Sequence, residues 1–199
     1  MEGKGKIKAA ALRLFVEKGL SVSTNSITRE AGVATGLMYH HFSSKEELIV
    51  ELYSDCFSEM IERTKRLFEG PSDSISFESY FNLSEKSFWA DVTWGLSNWQ
   101  KFQFIALVDG SLLLEQLSLS GVEAAREWER VFLEFHDVGV RNGYIANLPA
   151  DYAINVSKSI VRAATELFHD SPQMLEDEAL KREIRLRHWL AAGGLSPRA

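Results

Sequence analysis

Residues 27–48 read Ile-Thr-Arg-Glu-Ala-Gly-Val-Ala-Thr-Gly-Leu-Met-Tyr-His-His-Phe-Ser-Ser-Lys-Glu-Glu-Leu. The spacing predicts two short helices around a glycine-bearing turn, followed by a capped third helix. Ile27 and Ala31 lie four residues apart on one helical face. Gly32 then supplies a turn conformation that other residues resist, and Val33 plugs the core. Ser23 and Thr24 offer hydroxyl caps to the first of these helices. Ser43 with Glu46 and Ser44 with Glu47 are overlapping capping-box patterns ahead of the third. This is the order of parts in a helix-turn-helix, whose second helix enters a DNA major groove.

Upstream, Ile7, Ala10, Ala11, Leu14 and Phe15 form an apolar stripe at helical spacing, closed by Gly19. Within the second helix of the motif, Thr35 to Phe42, Leu37 is expected inward and Phe42 at the end of the bundle. Thr35, Gly36, Met38, Tyr39 and His40 are expected outward, with His41 nearby. Small, hydroxylic, aromatic or imidazole side chains lie against bases and phosphates without a charge clash. Gly36 permits close approach of the backbone. The helix start at Lys45 suits a phosphate. His40 and His41 do not share a helix face, because successive residues turn by about 100°, so a metal site there is not expected.

The motif residues Ala10-Ala11, Leu14-Phe15, Gly19, Ser23-Thr24, Ile27, Ala31-Gly32-Val33, Gly36, Tyr39, His41-Phe42, Lys45-Glu46 and Leu48 resemble the DNA-binding signature of the TetR family of bacterial transcriptional regulators. The resemblance implies that Thr35 to His41 is the recognition helix. It makes Tyr39, His41 and Lys45 phosphate contacts, and Thr35, Met38 and His40 candidate base readers. Ser23, Thr24, Thr28 and Arg29 complete the candidate DNA-binding set. Thr28 departs from the alanine usual in the family, and its hydroxyl is expected at a helix surface, facing DNA. Only Arg29 and Lys45 are cationic between residues 23 and 48, so modest affinity per subunit is expected, with two half-sites needed together.

The bulk numbers agree with that frame. The chain has 199 residues, 45% hydrophobic and 25% charged, with a net charge of −6. Residues 1–50 carry seven lysines and arginines against five glutamates, net +2, which leaves −8 on the remainder. A weakly basic front on an acidic body suits a chain whose N-terminal part meets phosphates. Cys56 is the only cysteine, so an internal disulfide is excluded. No apolar run approaches the roughly 18 residues that cross a bilayer. A cytoplasmic location with no membrane contact and no cofactor is expected. Catalytic signatures such as a nucleophile elbow, a phosphate-binding glycine loop or a zinc-binding His-Glu-x-x-His are absent. His136-Asp137 and His169-Asp170 are only sequence neighbours. An enzyme is therefore not expected.

The rest reads as helices, giving an all-α chain of about nine helices. Residues 1–48 are expected as a helix-turn-helix domain, and residues 49–199 as a larger helical effector-binding and dimerisation domain. Helices are predicted from Ser44 to Phe68, Phe77 to Ala90, Asn98 to Leu117, Val122 to Arg141, Pro149 to Phe168 and Gln173 to Ala192. Aromatic residues crowd the middle of the chain, either as a filled core or as the wall of an apolar pocket. The resemblance favours a pocket, with Phe88, Trp89, Trp99, Phe102, Gln103, Trp128, Phe132 and His136 as candidate ligand contacts; Asp109 and Glu115 are further polar anchors. A small apolar or amphipathic effector is the implied partner. The resemblance also places a homodimer interface on the last two helices, at Ala153, Ile154, Ser157, Ile160, Val161, Ala164, Ile184 and His188; the alternative is that the stripe on the Pro149 helix packs within its own subunit, and both hold if each takes one side of the helix. The implied function is a repressor that binds palindromic double-stranded operator DNA as a dimer and is released by an effector. A ligand-free or activating regulator, or a helical small-molecule binder without operator binding, are the alternatives.

Overall fold

The computed structural model describes residues 2–68, 74–111 and 123–195, the side chains at 65, 66 and 123–129 excepted. Nine α-helices are present among the described residues: α1 (Glu2–Lys18), α2 (Thr24–Ala31), α3 (Thr35–His41), α4 (Lys45–Phe68), α5 (Phe77–Ser97), α6 (Trp99–Asp109), α7 (Glu123–Arg141), α8 (Ala150–Asp170) and α9 (Glu178–Ala191). No strand occurs among these residues; a single antiparallel bridge joins Ile145 and Gly194. Packing groups the chain into two compact units, Met1–Glu59 with Asn98–Arg126, and Met60–Ser97 with Glu127–Ala199.

In the first unit α1 packs on α2, α3 and α6. Its predicted stripe of Ile7, Ala10, Ala11, Leu14 and Phe15 is buried. Phe15 stacks on Phe104 of α6, with ring centroids 5.9 Å apart. Ile27, Met38, Phe42, Leu48 and Ile49 complete this core. Cys56 is buried too, and burial pushes its thiol up to about 12, so it is a small apolar residue of a helix face and not a reactive thiol.

The turn between α2 and α3 is built from the backbone. Gly32 is left-handed, with φ 65°. Its N–H donates to the Arg29 carbonyl at 3.2 Å and the Val33 N–H to the Thr28 carbonyl at 3.0 Å, the paired bonds of a Schellman motif. A Cβ on Gly32 would meet no atom within 4 Å, so any cost of adding one is purely conformational. Gly32→Ala is therefore expected to lower stability by about 1–2 kcal/mol, read as a shift in the chemical denaturation midpoint. A neutral result would mean that the turn relaxes out of the left-handed region.

The second unit holds two apolar clusters. One gathers Phe68, Tyr80, Val131, Phe135, Val138, Ile145 and Trp189. Tyr80 stacks face to face on Phe135, 4.2 Å between centroids, and donates its hydroxyl to the Phe135 carbonyl at 3.2 Å. The other cluster joins Phe88 and Val92 of α5 to Ala164 and Phe168 of α8. Beyond α9, the Ala146 N–H donates to the Gly193 carbonyl at 2.7 Å and the Leu195 N–H to the Tyr144 carbonyl at 2.9 Å. These bonds tie the end of α9 to the segment before α8.

Several boundaries differ from expectation. α5 continues past Ala90 to Ser97 and carries Gly95 buried inside it; an interior glycine costs a helix about 1 kcal/mol without ending it. α6 ends at Asp109 with Gly110 beyond it, and the rest of the helix predicted to Leu117 lies outside the described residues from 112. The last predicted helix is divided. Pro172–Glu176 forms a 3-10 turn, and Asp177 accepts hydrogen bonds from the Ala179 and Leu180 N–H groups to start α9 afresh. Pro149 caps α8 from outside and is not its first residue.

Candidate functional site

The helix-turn-helix is assembled by short-range bonds. Ser23 accepts from the Ser26 N–H at 3.2 Å and starts α2. Ser44 accepts from the Glu47 N–H at 3.1 Å and starts α4. The Glu47 carboxylate reaches back to both the N–H and the hydroxyl of Ser43, one residue earlier than a standard capping box. The Ser43 hydroxyl bond, with the backbone bond beside it, holds that carboxyl below its ordinary value.

Two side-chain contacts join α2 to α3. The Thr24 and Tyr39 hydroxyls lie 3.3 Å apart, and those of Thr28 and Thr35 lie 3.4 Å apart. Thr35, Gly36, Tyr39 and His40 are exposed on α3, as is Arg29 on α2. His41 is half-buried, its ring 5.2 Å from that of His40. No group of three or more metal-binding side chains occurs among the described residues.

Two candidate DNA contacts are not on this surface. Met38 is 0% exposed. It points inward with Phe42, four residues on, while Leu37 is half-buried beside α1, where a Cβ on Gly3 would stand 2.8 Å from its Cδ2. Thr28 is buried as well. Its hydroxyl donates to the Asn25 carbonyl at 3.2 Å and is thereby satisfied inside the motif.

The basic residues near the motif are largely spent within the unit. Lys4 pairs with Glu51 at 2.7 Å, and Lys8 with Glu51 and Asp55 at 2.5 and 2.6 Å. Burial works against the Glu51 charge, yet the two lysines hold its carboxyl below its ordinary value. The Lys45 ammonium donates to the Leu20 carbonyl at 3.0 Å. Arg29 enters no ion pair among the described residues and stands free on the exposed side of α2.

The second unit contains a cavity of about 50 Å³. Its walls include Tyr80, Phe132, Phe135 and Trp189, and its polar groups are Ser84, His136, Ser157 and His188. Of the predicted ligand contacts, the structure brings only Phe132 and His136 here. Phe88 and Trp89 belong to the cluster around Phe168. Trp99, Phe102 and Gln103 lie in the first unit, where Trp99 stacks on Phe102 at 5.7 Å. Asp109 accepts a hydrogen bond from Tyr53 at 2.7 Å. The Trp128 side chain and Glu115 lie outside the described residues.

Sequence reasoning missed Tyr80, Ser84 and Trp189, and it placed Ser157 and His188 at a dimer interface. Here the Ser157 hydroxyl and His188 Nε2 are hydrogen-bonded to each other at 2.8 Å. Ala153, Ile154, Ala164 and His188 are buried within the subunit's own packing, and Ser157, Ile160, Val161 and Ile184 are half-buried. Periodicity marks a stripe as apolar without saying which neighbour covers it. The large apolar side chains that α8 and α9 leave exposed are Tyr152, Leu186 and Leu190.

Burial, with the nearby Arg185 charge adding to it, pushes the His188 imidazole from 6.5 down to about 4. The ring is thus neutral in the fold, whereas the unfolded chain takes up a proton below about pH 6.5. Stability should be full above that pH and fall by about 3 kcal/mol as the pH drops toward 4. Denaturation midpoints across that range, compared with those of His188→Gln, measure it. An equal slope in the variant would assign the loss to other groups.

Residues 7–52 match the family model of bacterial regulatory proteins, tetR family. Over 50 residues the chain is 42% identical to the HTH-type transcriptional repressor KstR2 of Mycobacterium tuberculosis, covering 25% of each chain. The match thus spans about a quarter of that curated relative's length. A solved TetR-family transcription regulator from Shewanella sp. PV-4 is 27% identical, with a TM-score of 0.78 over 98% of this chain and 99% of that one. The Bacillus subtilis regulator FadR, solved in complex with stearoyl-CoA, shares the fold at 19% identity, with a TM-score of 0.62 over 96% of this chain and 99% of its own. The helix-turn-helix is thus that of the TetR family of bacterial transcriptional regulators, and the helical fold follows a TetR-family structure along its whole length.

Proposed function

We propose that this protein is a transcriptional repressor that binds a palindromic operator as a homodimer and is released by a small molecule. The observation that carries the reading is the exposed face of α3, with Thr35, Gly36, Tyr39 and His40 presented on a helix fixed by its bonds to α2. Thr35 and His40 are the base readers; Tyr39, His41, Lys45 and Arg29 meet phosphates, with Ser23 and Thr24 at the start of α2. A Cβ at Gly36 would meet nothing within 4 Å in the free protein, so the glycine is kept for the approach of DNA. Two such helices reach successive major grooves about 34–36 Å apart.

Release follows if the effector favours a conformer in which the two recognition helices no longer match that spacing; by linkage, DNA then weakens effector binding by the same factor. α4 is the connecting element, since it begins at the capped Lys45 and contributes Phe68 to the second unit's core. The bound fatty acyl thioester in FadR supports an effector within such a helical body.

Selection of genomic fragments by the purified protein across a salt series tests the DNA reading. Recovery of one palindromic site, with affinity falling as salt rises, supports it. Recovery of only unspecific DNA by a well-folded dimer counts against it.

The dimer face is the side of α8 and α9 that carries Tyr152, Leu186 and Leu190. Burying each leucine contributes about 1.5–3 kcal/mol, and every substitution counts twice in a two-fold interface. The double variant Leu186→Glu with Leu190→Glu is expected to sediment as a folded monomer with a greatly weakened operator complex. A variant that remains dimeric would place the interface elsewhere.

A further inference from the structure

We infer that the cavity between α5, α7, α8 and α9 takes an uncharged ligand no larger than a single ring, whose one hydroxyl hydrogen-bonds to His136. This rests on the effector reading above and names the chemistry of that effector. His136 is 5% exposed, and neither ring nitrogen has a hydrogen-bond partner among the described residues. The nearest carboxylate oxygen, on Asp137, is 3.8 Å from Nδ1, beyond hydrogen-bond range. Of the two imidazoles lining the cavity, His188 is already engaged by Ser157. His136 is therefore the group left to anchor a guest. A neutral imidazole presents one donor and one acceptor, and a hydroxyl can answer either.

The lining excludes charge. Among the described residues no lysine, arginine, aspartate or glutamate contributes to it. A carboxylate, phosphate or ammonium would find no counter-ion among these lining groups, and Arg185, whose charge reaches His188, is already paired with Glu85 at 2.9 Å, so burying a further charge there is costly. The walls of Tyr80, Phe132, Phe135 and Trp189 favour a flat apolar body.

Size sets the upper limit. About 50 Å³ is room for a few waters, whereas a benzene ring occupies a cavity of about 150 Å³. Of the four aromatic walls only Phe132 is half-buried; the others are buried. Phe132 lies on the His136 ring, 6.3 Å between centroids. Admitting a single ring therefore requires a rotamer change at Phe132, the wall of these four that is not fully buried.

Calorimetric titration of the full-length protein with phenol, benzene and benzoate tests the inference. Phenol should bind at least tenfold more tightly than benzene, and benzoate should not bind. His136→Leu should abolish the preference for phenol while benzene still binds. Ser84→Leu, which fills the cavity without touching the imidazole, should abolish binding of both. Equal affinity for phenol and benzene, tighter binding of benzoate, no binding of phenol, or a phenol preference that survives His136→Leu would each overturn it. Phenol is then added to the operator complex. Phenol binding that depends on His136 but leaves operator affinity unchanged keeps the cavity and removes the effector reading. No phenol binding by a protein that still holds its operator removes the cavity inference alone.

Discussion

Tyr39→Ala should lower operator affinity by roughly 10²–10⁴-fold with the fold intact. The side chain is 52% exposed on α3, and its hydroxyl is held near Thr24 at 3.3 Å. That exposed bond contributes little to folding, so thermal unfolding of the variant should match the parent. Its service is to orient the phenol across the start of α2 before DNA arrives. A hydrogen bond to a charged phosphate contributes about 1.5–3 kcal/mol. In a two-fold complex the loss is counted twice, about 3–6 kcal/mol, which gives the range stated. Fluorescence anisotropy with the selected operator at fixed salt measures it. Tyr39→Phe separates hydroxyl from ring and should show most of the loss. An alanine variant that binds like the parent would remove α3 from the DNA interface and with it the proposed function.

Gly139→Ala should destabilise the protein by about 2 kcal/mol net, although glycine sits inside a helix where alanine is intrinsically better. Two effects oppose. Replacing an interior helical glycine gains about 1 kcal/mol. Against that, the new methyl would occupy the place of the Tyr80 hydroxyl and would stand 3.0 Å from Ile145 Cδ1. Tyr80 cannot simply move aside. It is buried, stacked on Phe135 and bonded to the Phe135 carbonyl. Displacing it forfeits about 0.5–1.5 kcal/mol of ring interaction and strands a buried hydroxyl at about 1–3 kcal/mol. The clash wins. For a chain of this size the melting temperature should drop by about 4–8 °C. Because the ring carbon Cζ would also stand 2.5 Å from the new methyl, Tyr80→Phe should restore only part of the loss in the double variant, whereas Tyr80→Leu, which removes both atoms, should restore more. Strict additivity of the two substitutions would show that they do not meet.

The helix-turn-helix was legible because each of its decisions is local. Ser23, Gly32 and Ser44 act on backbone groups within five residues of themselves, so their identities announce the turns and caps directly. The face of α3 was read less well. A helix of seven residues makes only two turns, and one residue of phase separates Leu37 inward from Met38 inward; in the fold Met38 is fully buried and Leu37 lies half-buried beside α1. Thr28 shows a different limit. Its hydroxyl is satisfied by the Asn25 carbonyl of its own helix, so a polar residue is buried where the hydrophobic pattern reads surface. In the second unit, aromatic density could not separate rings that fill the core from rings that line a cavity. Ser84, His136, Ser157 and His188 come from four helices spread over more than half the chain, and nothing local marks them as neighbours.

The ion pairs that Lys4 and Lys8 make with Glu51 and Asp55 bear on how such a protein finds its target. Attraction to any DNA, whatever its sequence, comes from cations free to displace the counterions around phosphates. Here carboxylates of α4 neutralise two lysines of α1 before DNA is met. The grip on bulk chromosome is thereby kept weak relative to the grip on a matching site, and that ratio governs occupancy when millions of wrong sites compete. For the proposed repressor, search is then expected to proceed mainly by short encounters from free solution instead of long sliding, so that few copies keep a single operator filled.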